Sequence, residues 1–151
     1  MERYFEHLIN LVYREFYPKV ANFYGKALPF ASSYIKFGGF EISLHGYGRT
    51  SLAYEEIGDV KIITKTIYFH TGFLLHLTGW ENHDFAFHLH HFVDTIAHEL
   101  AHCFRADFDP TKVREHDDDH KLLKKKFAEY LWTLPEIEAL TNLQKNKKFL
   151  K

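Results

Sequence analysis

The stretch "FVDTIAHELAHCFRADF", residues 92–108, decides how the rest of the chain is read. Val93, Ile96, Ala97, Leu100 and Phe104 recur at three- and four-residue steps, which predicts an amphipathic α-helix with one apolar face. On such a helix, residues four apart lie one turn above the other on a shared face. His98 and His102 therefore direct their imidazoles to one point, and Glu99 stands beside that point. This is the arrangement in which two histidines hold a metal ion while a carboxylate works on a metal-bound water. The letters alone do not carry the reading. A shuffled chain with 12 His and 12 Glu in 151 residues contains HExxH about 0.07 times, so the surroundings must decide.

A chain of 151 residues suits one compact domain with a sizeable core. Its hydrophobic fraction of 46% and aromatic fraction of 17% predict a packed globule rather than a disordered chain. The net charge of −1 sets up no global field for nucleic acid or a membrane surface. Cys103 is the sole cysteine, which excludes an intrachain disulfide and any four-cysteine zinc site. The first twenty residues carry charges every few positions, unlike a signal peptide, and no uninterrupted apolar run reaches membrane-spanning length. The expectation is a soluble, cytoplasmic protein with no membrane association. Nothing in the pattern speaks to its oligomeric state.

Outward from the central helix, the period changes. Phe5, Leu8, Ile9, Val12, Phe16 and Val20 predict an N-terminal helix over residues 2–24, interrupted at Pro18, with a loop at Pro29. The middle third is rich in β-branched and aromatic residues and punctuated by Gly38-Gly39, Gly46, Gly48 and Gly58-Asp59. It predicts three strands near 35–45, 49–55 and 61–70, arranged as an antiparallel meander. "HLTGWENHDFAF", residues 76–87, is expected to be a loop, and helical spacing resumes near His88. "DFDPTKVRE" is a second loop broken at Pro110. Asp117, Asp118 and Asp119 suit the first turn of a final helix, where carboxylates meet the positive end of the dipole. That helix buries Leu123, Phe127, Tyr130, Leu131 and Leu134, and residues 141–151 form a polar tail. The sum is a single α+β domain over residues 1–151: N-terminal helix, three-stranded antiparallel sheet, HExxH helix and C-terminal helix.

A catalytic zinc site takes three protein ligands and leaves a fourth position for water. "REHDDDHKLL" offers His116 and His120, both in phase with Leu123 and Phe127, and spacing does not choose between them. Asp94, four residues before His98, is a candidate to orient a ligand imidazole. Tyr47, Tyr68 and His70 are candidates to stabilise an oxyanion. His88, His90 and His91 read as structural or solvated rather than as a second metal site. Cys103 reads as a small buried residue.

"GRTSLAYEE" (48–56), "KTIYFHTGFL" (65–74) and "DTIAHELAH" (94–102) together resemble the core of SprT-like (Spartan-type) zinc metallopeptidases. The resemblance covers residues 1–135 and is most specific at HELAH. It implies a zincin-like domain with an N-terminal helix, a small three-stranded sheet, the HExxH helix and a later helix. In that family the third ligand opens the later helix, in a pattern similar to His-Gly-x-x-aromatic. His116 takes that place, Asp117 stands where the glycine would be, and His120 stands where the bulky residue would be. The resemblance implies Zn2+ held by His98, His102 and His116, with His120 as the alternate third ligand and Glu99 as the catalytic base. It further implies hydrolysis of protein or peptide substrates, some of them associated with DNA. The basic runs "KLLKKKF" and "QKNKKFLK" could touch phosphates, but Lys-rich helix faces and tails are usually solvated. The rival expectation is a non-catalytic module in which the same fold holds zinc structurally and recruits a protein or DNA partner.

Overall fold

Apolar residues at helical spacing build the first element, α1 (Glu2–Tyr24), whose Leu8, Ile9, Val12 and Tyr13 are fully buried. The helix runs through Pro18, which sits on the exposed side; the proline removes one backbone hydrogen bond without ending the element. Strands β1 (Ile35–Glu41), β2 (Gly48–Ile57) and β3 (Val60–His70) follow, then α2 (Phe85–Phe108), a 3₁₀ turn (Pro110–Lys112), α3 (Asp118–Thr133) and α4 (Pro135–Phe149). The computed structural model describes residues 2–25, 35–41, 47–72 and 85–149. Among them are four α-helices and a three-stranded mixed sheet, so the chain is an α+β protein. None of the described helices is long and apolar enough to cross a membrane.

The expected antiparallel meander is corrected. The strand order is β1-β3-β2: β2 and β3 form an antiparallel hairpin, whereas β1 runs parallel to β3 on its far side. Alternation of apolar residues fixes which face of a strand is buried, and it carries no information on which strand lies alongside. Residues 42–45, expected to extend β1, and residues 76–84 of the expected loop lie outside the described residues. Residues 85–87 of that loop belong to α2. The expected single last helix is two, because Pro135 takes the first position of a new one. Residues 141–149, expected as a tail, continue α4.

One edge of the sheet is closed by α1. Asn10 Nδ2 donates to the Ile35 carbonyl at 2.9 Å, and its Oδ1 accepts from the Ile35 N–H at 2.9 Å. Glu6 Oε2 accepts from the Phe37 N–H at 3.1 Å. These bonds satisfy backbone groups that an edge strand would otherwise leave open. A register shift between Phe37 and Gly39 lets the Tyr68 ring lie against Gly38; a Cβ there would come within 2.3 Å of it.

The core lies between the sheet and the helices. Ile35, Phe37, Ile67 and Phe69 share one buried cluster with α1 and with the apolar side of α2, where Phe92, Val93, Ile96, Ala97, Leu100 and Phe104 have no exposed surface. Phe5 joins α1 to both, with its ring 5.3 Å from Phe92 and 6.1 Å from Phe69. Burial of each such side chain contributes about 1.5–3 kcal/mol. The stripe predicted from 92–108 is thus the floor of the fold, and it fixes how α2 turns its polar face outward. Leu123, Phe127, Leu131 and Leu134 of α3 and its C-cap pack into the same core, with Tyr130 partly buried, and bring the start of α3 against that polar face.

Candidate metal centre

The histidine-bearing face of α2 meets the start of α3 and the first residues of β2. The junction between α2 and α3 is held by an ion pair that the sequence reading did not anticipate. Arg105, fully buried on α2, donates to Asp117 through Nη1 at 2.5 Å and Nη2 at 2.8 Å. Asp117 is the N-cap of α3: its Oδ1 also accepts from the His120 N–H at 3.0 Å. The Arg105 guanidinium holds the Asp117 carboxyl well below the usual carboxylate range. The clamp sets the positions of the residue before the cap, His116, and of the first turn after it, which carries His120.

All four candidate histidines converge. One nitrogen from each of His98, His102, His116 and His120 lies within 4.8 Å of the others. The six separations between ring centres run from 4.5 to 5.0 Å, so the four imidazoles occupy the corners of a nearly regular tetrahedron. His102 Nε2 is 3.2 Å from His98 Nε2 and 3.1 Å from His116 Nε2. Two nitrogens bound at about 2.0–2.1 Å to one tetrahedral ion sit about 3.3 Å apart, so the donor set fits a small cation such as zinc.

Protonation points the same way. His102 Nδ1 faces the Val113 carbonyl at 2.7 Å and must donate to it, which leaves the Nε2 lone pair for the shared point. Burial pushes the His98 imidazole down to about 4, with His102, His116 and Lys124 adding repulsion. Burial, then His102 and His98, push His120 down to about 3. Burial also lowers His102, against the Val113 bond. These rings are therefore neutral at pH 7, the form that ligates metal. His120 is 1% exposed, and its Nε2 lies 3.2 Å from the His98 carbonyl, to which it donates. His116 is the exposed member of the four.

Glu99, only 4% exposed, sits beside this cluster. Thr50 Oγ1 lies 3.3 Å from its Oε2 and from its backbone carbonyl. Burial raises the carboxyl to about 7, while Thr50 and Arg114 pull it down. Near neutral pH it can both take and return a proton. Gly48 allows β2 this close: a Cβ would meet Thr95 Cγ2 at 2.8 Å and Glu99 Cγ at 3.0 Å. Arg114 ties the arrangement together by donating to the Thr50 carbonyl at 3.0 Å. A cleft of about 320 Å³ opens onto His98 and Glu99, with Tyr47, Gly48, Thr95 and Lys124 among its walls.

The remaining candidates separate. Tyr47 lines the cleft. Tyr68 packs under Arg49, 4.3 Å from the guanidinium carbon to the ring centre, and His70 Nδ1 accepts from the Gly72 N–H. Asp94 lies 3.6 Å from His90 Nε2 rather than orienting His98. His90 stacks on Trp132 and His91 meets Tyr47, so the two diverge; the His88 side chain lies outside the described residues. Cys103 is fully buried, and burial pushes its thiol up. The functional residues missed in the sequence are Arg105, Thr50, Val113 and Arg114. Only Arg105 left a signal: a cation beside the apolar stripe, followed twelve residues later by Asp117.

No protein-family model, curated protein or solved structure matches the chain.

Proposed function

We propose that this chain is a zinc-dependent endopeptidase with a zincin-like site of the SprT-like kind, in which His98, His102 and His116 hold the ion and Glu99 is the catalytic base. The observation that carries the reading is the meeting of two features: imidazole nitrogens 3.1–3.2 Å apart, and a buried carboxylate beside them on the wall of an open cleft. Zinc, if held by these three histidines, would supply Lewis-acid chemistry to a scissile carbonyl and an attacking water.

The chain's own residues supply the rest. Glu99 takes the proton of the attacking water and returns it to the leaving amine, a role suited to a carboxyl raised toward neutrality. Thr50 holds that carboxylate in place, and the Val113 carbonyl keeps His102 in the tautomer that offers Nε2. Gly48 keeps the approach free of a side chain, and Tyr47, on the cleft wall, is a candidate to donate to a developing oxyanion.

The convergence of His120 favours a second reading. Four imidazoles would close the coordination sphere, and the chain would then be a zinc-stabilised binding module without hydrolytic activity.

The test is Glu99→Gln, assayed for metal content and for cleavage of an unfolded protein such as casein, with and without single-stranded DNA. The peptidase retains its zinc in the variant and loses hydrolysis by at least about 100-fold. Wild-type protein that holds one zinc and cleaves nothing under either condition would replace this reading with the closed-site one. His120→Ala sharpens the choice: the peptidase keeps its zinc, whereas the closed site loses it.

A further inference from the structure

A second cavity, of about 370 Å³, lies along the groove between α2 and α3. It shares Asp94 and Lys124 with the cleft at Glu99, so the two adjoin. Lys121, Lys124 and Lys125 line it, and none of the three is paired with a carboxylate among the described residues. Trp132, a large aromatic left 40% exposed, closes the far end with the His90 ring stacked on it, centres 5.7 Å apart. Solvated lysines on a helix need no aromatic beside them, and an exposed tryptophan in a groove is an anchor for an apolar side chain.

We infer that this groove, with Lys124 at its junction with the cleft, selects peptide substrates that carry an acidic side chain near the scissile bond and an aromatic one farther along. The inference rests on the peptidase reading of the adjoining site. An extended chain advances about 3.3 Å per residue, so residues flanking a bond held at Glu99 pass Lys124 before they reach Trp132. Lys124 faces both cavities and meets the acidic side chain first; Lys121 and Lys125 lie along the same path. The Trp132–His90 pair then offers a ring face for stacking. Asp94 and Glu129 stand in the same walls. They interrupt the positive field that a phosphate backbone would need, and so favour a peptide over nucleic acid.

The test separates binding from chemistry. Full-length Glu99→Gln protein is titrated by fluorescence anisotropy with a labelled peptide containing Glu-Glu followed by Phe, and with its Lys-Lys counterpart. Wild-type protein is assayed for cleavage of both. The inference predicts that the acidic peptide binds at least about tenfold more tightly, and that Lys124→Glu reverses the preference. Trp132→Ala weakens both peptides without changing their order. Equal binding of the two peptides would overturn the inference and leave the peptidase reading standing. The predicted preference without any cleavage by the wild type would uphold the groove and sink the peptidase. Tighter binding of a single-stranded oligonucleotide, lost in Lys124→Glu, would also overturn it in favour of nucleic acid.

Discussion

Helix α2 carries buried polar groups on two sides, and they are satisfied in opposite ways. On the side facing the sheet, Lys65 Nζ donates to Tyr13 Oη at 2.6 Å and to Asp107 Oδ2 at 2.7 Å, and the Tyr13 hydroxyl donates to the same carboxylate. One cation, one anion and one hydroxyl bond to one another, with Lys65 fully buried and Asp107 only 6% exposed. On the other side, His102 turns the lone pair of its Nε2 toward His98 Nε2 at 3.2 Å and His116 Nε2 at 3.1 Å. Such a gathering of ring nitrogens can hold a metal ion. Burial of polar groups is common to both clusters and distinguishes neither. The difference is that one pairs a cation with an anion, whereas the other gathers four ring nitrogens that could share a metal ion.

That contrast can be broken from either side. Lys65→Met leaves Asp107 buried and unpaired, and should cost about 3–5 kcal/mol in chemical denaturation while metal content stays unchanged. His102→Ala should do the reverse. It should abolish metal binding and the stabilisation that zinc confers on the wild type, about 2.7 kcal/mol at a free concentration 100-fold above Kd. A variant that lost its metal with Lys65, or kept it without His102, would erase the distinction.

A graded effect comes from pH in the metal-free chain. His98 and His120 have folded values of about 4 and 3, below their ordinary 6.5, so below pH 6.5 the unfolded state binds more protons and stability falls as pH drops toward 4. Glu99, raised from 4.5 to about 7, works the other way: its contribution is lost as pH rises from 4.5 through 7. With His102 also lowered, three histidines outweigh one glutamate. Denaturation midpoints of chelator-treated protein should therefore decline below pH 6.5; a flat profile would mean that the imidazoles are not buried as described. Asp117→Ala should remove the α3 cap, lower the denaturation midpoint, and leave Arg105 without its bidentate partner. Zinc affinity should fall about 10–100-fold, as it does when the outer partners of ligands are lost. Asp117→Asn, which keeps the cap, should recover the stability more than the affinity.

The helix over 92–108 was legible because one periodicity carries both its burial and its chemistry. The α1 stripe, the strands' inward faces and the apolar positions of α3 were legible for the same reason. Strand neighbours were not: the parallel pairing of β1 with β3 depends on which edge α1 covers, through Asn10 and Glu6, and alternation is silent on that. Lys65 was half legible, since it alternates with Ile67 and Phe69 on the inward face, but its partner Asp107 lies 42 residues away. His116 and His120 were both in phase with the α3 core, and the sequence left one to be chosen. The Arg105–Asp117 clamp brings in both, because Asp117 caps the helix rather than entering its first turn.

The central claim is that the histidine cluster is a cation site and the lysine cluster is not. Metal content by plasma mass spectrometry, measured after dialysis on wild type, His102→Ala and Lys65→Met together, tests it most directly. One zinc per chain is expected in the wild type and in Lys65→Met, and none in His102→Ala. Wild-type protein that takes up no metal, and whose thermal midpoint moves with neither added zinc nor chelator, would contradict it.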